Sequence, residues 1–212
     1  MKSDSTTKDH QALLLVDLQN DFVDGGALAV PGGLEVIEVA NRLIPKFNWV
    51  VATQDWHPAD HQSFASQHAG LAIGDQFLLD EIPQVAWPDH CIEHSQGAEF
   101  VASLAQDGID HVVRKGTQRQ IDSYSAFYDN GHLHATGLAD DLRRHDIQHV
   151  FVMGLATDYC VRATVLDAIN DGFRVTLVVD GCRGVEMNPG DVEHALKEMQ
   201  DAGAELARSD EL

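Results

Sequence analysis

The chain has 212 residues, 14 Lys and Arg against 34 Asp and Glu, a formal charge of −20 at pH 7 and only three cysteines. The length suits one globular domain, and the negative field, which repels phosphate, argues against nucleic acid or an anionic membrane as partner. The thiols of Cys91, Cys160 and Cys182 are odd in number and scattered, so they form neither a disulfide framework nor a Cys-x-x-Cys metal pair, and they fit a reducing compartment.

In chain order, the start "MKSDSTTKDH" is polar and lacks the apolar core of a secretion signal. That predicts a flexible leader over residues 1–11 and a cytoplasmic, soluble protein. Buried strands are predicted at Ala12–Val16, Trp49–Thr53, His111–Val113, His149–Met153 and Arg174–Val179, with a weaker one at Ala204–Ala207. Helical patterns fall between them at Gly33–Phe47, Ala98–Gln106, Gly137–His145, Cys160–Asp171 and Pro189–Ala202, the last stopping at Gly203. Strands alternating with helices predict an α/β fold: a single domain with a doubly wound, mostly parallel, six-stranded sheet flanked by helices. The closing "RSDEL" is expected to be loose, and its likeness to a retention signal counts for nothing without a signal peptide.

In open α/β sheets ligands bind beyond the carboxyl ends of the strands, and three reactive residues fall there. Asp17 follows "ALLLV", Lys115 follows "HVVR", and Cys160 opens a helix whose inward face includes Val161, Val165 and Ile169. A helix N-terminus and a nearby ammonium both lower a thiol pKa, which would make Cys160 a nucleophile. Asp17 would then take the thiol proton and return it to a leaving amine. Taken singly, the three have ordinary readings as a cap, a surface charge and a core residue. Their joint position at successive strand ends favours catalysis. Cys91 and Cys182 have no evident base and are read as structural.

Residues 54–97 interrupt the rhythm with Trp, Pro and His, as long functional loops do. In "TQDWHPADHQSF", Asp55 and His57 lie two apart in an extended segment and point the same way, with His61 close behind; "WPDHCIEH" adds His90 and His94. With 12 histidines in the chain, spacing alone does not choose the ligands. Phe22, Trp87, Tyr124 and Phe127 sit in the proposed loops, where they would wall a pocket for a flat ring.

The pieces "LLLVDLQNDF", "TQDWHPADHQSFAS", "WPDHCIEHSQGAEF", "RKGTQRQIDSYSAF", "GLATDYCVRATVLDA" and "DGCRGV", in that order over about 12–207, resemble the bacterial nicotinamidases, or pyrazinamidases, of the isochorismatase-like cysteine hydrolases. The resemblance implies a domain over 12–212 with a metal-binding insertion at about 54–97. It implies a catalytic triad of Cys160, Asp17 and Lys115, and an oxyanion hole from the backbone N–H groups of Ala156 and Cys160 after a cis Leu155–Ala156 peptide. A divalent metal, zinc before iron or manganese, is implied on Asp55, His57 and His90; His61 ranks below them because its position varies among relatives. Phe22, Trp87 and Tyr124 look like the ring pocket, with Tyr159 tuning it. The implied reaction is hydrolysis of nicotinamide to nicotinate and ammonia through a cysteine thioester, extending to pyrazinamide and serving NAD salvage. The partner is thus a small molecule, not nucleic acid or membrane, and a homo-oligomer is compatible with it. Two rivals are an amidase for carbamoyl or ureido compounds using the same triad, and a non-catalytic metal-binding domain. The aromatic pocket argues against the first and the intact triad against the second.

Overall fold

The computed structural model describes residues 10–212. Residues 1–9 lie outside the described residues, and with them most of the expected leader; the first strand already starts at Gln11. That strand, β1 (Gln11–Val16), carries five residues in succession with almost no exposed surface, Ala12 to Val16. Such a run must be covered on both faces and flanked on both edges, and β1 accordingly lies inside the sheet. The other strands of this sheet are β2 (Val50–Asp55), β5 (His111–Lys115), β6 (His149–Leu155), β7 (Arg174–Arg183) and β8 (Glu205–Ala207), in the order β5-β2-β1-β6-β7-β8. Every pairing among them is parallel.

The chain moves outward from β1 through β2 to β5, then returns to β6 on the other side of β1 and moves outward again to β8. The winding direction therefore reverses between β1 and β6, and in open α/β sheets the crevice at that switch point is where ligands bind. Right-handed crossovers in opposite directions place the connecting helices on opposite faces. Helix α1 (Gly33–Leu43) joins β1 to β2, and it buries Val36, Ile37, Val39, Ala40 and Leu43 along one stripe. It ends where Pro45 tightens the chain into a 3-10 turn, Ile44–Lys46, short of the predicted Phe47. Helix α2 (Leu138–Arg144) precedes β6, and α3 (Arg162–Asn170) joins β6 to β7. Helix α4 (Asp191–Ala202) stops at Gly203, which is left-handed at φ 115°.

Three expectations need correction. Ala98–Gln106 is not a helix: its buried Ala98, Val101 and Leu104 repeat every third residue, and bonds to the chain leaving β1 and to β2 stand where a helical ladder would run. Val101 N–H donates to Leu18 O, Asn20 N–H to Glu99 O, and the Gln19 and Gln54 side chains donate to Ala98 O. Within residues 54–97, expected as an irregular loop, a hairpin appears, β3 (Gln76–Leu79) and β4 (Ile82–Val85), turning through Asp80 and Glu81, both at positive φ. The closing residues are tied down, because Ser209 is buried and gives its N–H and hydroxyl to the Asp180 carboxylate. Among the described residues no helix is long and apolar enough to cross a membrane.

Candidate active site

The switch point gathers three strand ends. Asp55 and Lys115 are the last residues of β2 and β5 and are register partners; Asp17 is the first residue beyond β1. Beyond β6 the chain passes a cis Leu155–Ala156 peptide and a single π turn, Thr157–Val161, before α3 begins. Cys160 therefore lies in that turn rather than opening the helix, while Val161 and Val165 are buried behind it and Ile169 is half-buried. Gly154 lets β6 approach β1 here: at φ 133°, a Cβ would lie 2.1 Å from Val16 O, so only glycine fits.

Lys115 joins these pieces. Its side chain is fully buried, and Nζ lies 2.8 Å from Asp17 Oδ2, 3.0 Å from Ser123 O and 3.5 Å from Cys160 Sγ, and also bonds Asp55 Oδ1. Thr53 Oγ1 donates to Asp17 Oδ1 and accepts the Asp17 N–H. The Gln19 amide clamps the Asp55 backbone, accepting its N–H and donating to its C=O, each at 2.8 Å.

The electrostatics revise one expectation. Burial raises the Cys160 pKa well above its ordinary value; Lys115 pulls it down, but Asp17 and Asp55 push it up again. Burial first, and then the two carboxylates that share the ammonium, thus work against the low-pKa thiol expected from the sequence. Burial likewise lifts Asp17 to about 6 against the pull of Lys115. Asp55 is held well below the carboxylate range, since Lys115 and His57 overcome its burial. Lys115 is raised far above its usual value because Asp17 and Asp55 outweigh its burial. A buried thiol 3.5 Å from an ammonium that also holds a basic carboxylate is arranged for proton transfer as the sulfur attacks.

A second cluster adjoins the first. One ligand atom from each of Asp55, His57 and His90 lies within 4.8 Å of the others, and all three residues are buried. The outer ring nitrogens are engaged, His57 Nδ1 with Gly116 O and His90 Nδ1 with Pro88 O, each at 2.8 Å, which turns both Nε2 atoms toward the Asp55 carboxylate. His57 Nε2 is buried with no hydrogen-bond partner. Orphaned imidazole nitrogen, facing carboxylate and backbone-oriented rings fit a divalent ion of the zinc type. His61 packs against His57 with ring centres 4.4 Å apart and tilted, and has its Nε2 3.3 Å from Ile121 O; burial and His57 lower its pKa to about 4. It groups with His57 and Asp122 rather than with Asp55 and His90. His94 is exposed and packs on Trp56, away from the cluster.

Phe22, Trp87, Tyr124, Tyr159, Ala156 and Cys160 line one small cavity together with Asp55 and His90. Trp87 and Tyr124 present their rings edge-on to Tyr159, and Trp87 Nε1 donates to Tyr124 Oη at 3.0 Å. Phe127 is not part of this wall; it is buried in the core against Phe173. Cys91 and Cys182 are buried, with pKa values that burial raises. Sequence reasoning missed Leu28, Val185 and Asp122, all of which line the cavity. The first two carry no chemical signal. Asp122 stands two residues before Tyr124 in a segment leaving a strand end, where a carboxylate is a noticeable choice.

Residues 11–211 match the isochorismatase domain family. A nicotinamidase of Escherichia coli K12 is 54% identical over 203 residues, 92% of this chain and 93% of that protein. Among solved structures, an Acinetobacter baumanii nicotinamidase/pyrazinamidase superposes with a TM-score of 0.93 at 41% identity, covering 96% of this chain and 98% of the other. A pyrazinamidase of Pyrococcus horikoshii in complex with zinc superposes at 0.77 with 37% identity, over 94% and 99% of the two chains.

Proposed function

The chain belongs to the isochorismatase family, and on that premise we propose that it is a nicotinamidase, hydrolysing nicotinamide to nicotinate and ammonia and accepting pyrazinamide as well. The observation that carries the reading is the convergence of Cys160, Asp17 and Lys115 beside an aromatic cavity that also reaches Asp55 and His90. The thiol of Cys160 gives its proton to Asp17 as sulfur attacks the carboxamide carbon, and the backbone N–H groups of Ala156 and Cys160 receive the developing oxyanion. Asp17 passes the proton to nitrogen as the C–N bond breaks and ammonia leaves. A water molecule, its proton taken by Asp17, then cleaves the thioester and restores the thiol. Throughout, Lys115 keeps its charge and holds the Asp17 carboxylate against the sulfur.

Asp55, His57 and His90 would hold a divalent ion, zinc for preference, with His61 beside them. When bound, the ion supplies a Lewis acid for a ring nitrogen of the substrate. Phe22, Trp87 and Tyr124 hold the ring, and Tyr159 trims the space left to it. The role in the cell is NAD salvage in the cytoplasm. Ammonia release decides the matter: the metal-loaded enzyme should hydrolyse nicotinamide, act poorly on benzamide, which lacks the ring nitrogen, and leave an N-carbamoyl amide intact. Equal rates on benzamide and nicotinamide would refute ring-nitrogen anchoring, and preference for the carbamoyl compound would refute the substrate assignment.

A further inference from the structure

One carboxylate in the cavity has no part in the reaction just described. Asp122 is 3% exposed and lines the same wall as Tyr124, Asp55 and His90. Both oxygens accept hydrogen bonds, Oδ1 from the Ser123 N–H at 2.7 Å and Oδ2 from the Gln84 side-chain amide at 2.9 Å. Each of its two oxygens thus meets an N–H donor, which an acceptor-only carboxylate satisfies. Gln84, on β4, also donates to Tyr124 Oη at 3.1 Å, and Asn130 Nδ2 approaches its Oε1 at 3.4 Å. On the other side, a ligand atom of Asp122 lies within 4.8 Å of those of His57 and His61.

The charges at the site can be counted. Asp17, Asp55 and Asp122 contribute three negative charges and Lys115 one positive, leaving two negative charges for a divalent ion to cancel. Without Asp122, the loaded site would carry one excess positive charge. The substrate is a neutral amide, whereas the product is a carboxylate anion of nearly the same shape. Excess positive charge in a desolvated cavity would favour the product selectively. Resting on the nicotinamidase reading, we propose that Asp122 is a specificity-determining residue that makes the loaded site electrically neutral, so that the neutral amide binds and the anionic acid is released.

The test compares amide and acid directly. Nicotinamide and nicotinate are titrated calorimetrically into zinc-loaded protein carrying Cys160→Ala, where no turnover occurs. Adding Asp122→Asn should tighten nicotinate by about tenfold or more while nicotinamide changes by less than about threefold. In the otherwise wild-type enzyme, the same substitution should lower the nicotinate inhibition constant to the same extent. Asp122→Glu should restore the parent ratio. Gln84→Met, which removes the hydrogen bond but keeps the charge, should leave the ratio unchanged, which separates charge from structure. Asp122→Ser gives the neutral comparison if the Asn variant does not fold. Metal-free protein titrated with zinc should bind it more weakly in either neutral variant, because one nearby carboxylate is lost. An acid-to-amide affinity ratio unmoved in both neutral variants, with both ligands still binding, overturns the inference. If neither ligand binds the loaded Cys160→Ala protein, the nicotinamidase reading itself fails.

Discussion

Gly116 sets the position of His57, one of the three residues proposed to hold the metal. It follows Lys115 at φ 64°, its carbonyl accepts from His57 Nδ1 at 2.8 Å, and a Cβ built on it would lie 2.3 Å from His57 Cε1 and 2.6 Å from Nδ1. Carbon atoms in contact sit about 3.5 Å or more apart, so Gly116→Ala forces the imidazole back by more than about 1 Å. Metal–ligand distances tolerate only about 0.2 Å, and disturbing a ligand's supporting partner already weakens affinity by about 10–100-fold. We expect zinc affinity to fall by about 100-fold or more, with a further destabilisation of about 1–2 kcal/mol from the left-handed backbone. Gly25→Ala separates the two effects, because Gly25 has φ 90° and nothing within 4 Å of its added Cβ. It should show the conformational loss alone. Zinc titration of the metal-free proteins and thermal unfolding read both quantities. Parent-like zinc binding in Gly116→Ala would show that His57 is not a ligand held in this way.

Cys160→Ala should abolish ammonia release with a small change in unfolding temperature, and mass spectrometry of the parent during turnover should find a nicotinoyl adduct on Cys160 and on neither Cys91 nor Cys182; an adduct elsewhere removes Cys160 as nucleophile. Lys115→Met leaves the buried Asp17 and Asp55 facing each other without their cation, so denaturant unfolding should show a loss of about 3–5 kcal/mol; a neutral result would mean that the pair is not ionised. His149 is half-buried, and burial together with Arg174 lowers its pKa to about 4 from an ordinary 6.5. The folded state therefore resists protonating it: stability is intact above about pH 6.5 and falls as the pH drops toward 4. Discounted for exposure, the loss is about 1–2 kcal/mol. His149→Gln should flatten that part of the pH–stability curve, and an unchanged curve would refute the assignment.

The legible parts of the fold were those in which burial is written into composition. Ala12–Val16 reads as a buried strand, and Gly203 marks its helix end chemically, whereas the first helix, expected to run past Pro45 to Phe47, stops before it. Ala98–Gln106 misleads because its apolar spacing satisfies a core contact while its backbone partners lie about 80 residues away, around Leu18 and Gln19, which no local pattern reveals. The hairpin at 76–85 is nearly as opaque: only Gln84 is buried along its two strands, so it lacks the clean alternation of a half-buried strand. At the site, residue types pointed to the chemistry, but the partner of each charge depends on the sheet order. β2 lies between β1 and β5, which brings Asp55 onto Lys115 along with Asp17.

That neighbour changes how the nucleophile must work. An ammonium facing one carboxylate and one thiol could hold a standing thiolate; facing two carboxylates, it is already outnumbered, and in the metal-free site a thiolate beside it would add a third negative charge in a buried space. On this arrangement the sulfur would keep its proton until the carbonyl carbon is close enough to accept electron density. Burial has meanwhile raised Asp17 to about 6, making it a stronger base than an exposed aspartate. The thiol and the carboxylate then titrate as one coupled unit. Alkylation of Cys160 in the free enzyme should accordingly be slow at neutral pH and quicken as the pH rises, and Lys115→Met should displace that rise to higher pH, because the ammonium favours the thiolate. An alkylation rate already at its plateau at neutral pH would show a standing thiolate and refute the coupled transfer.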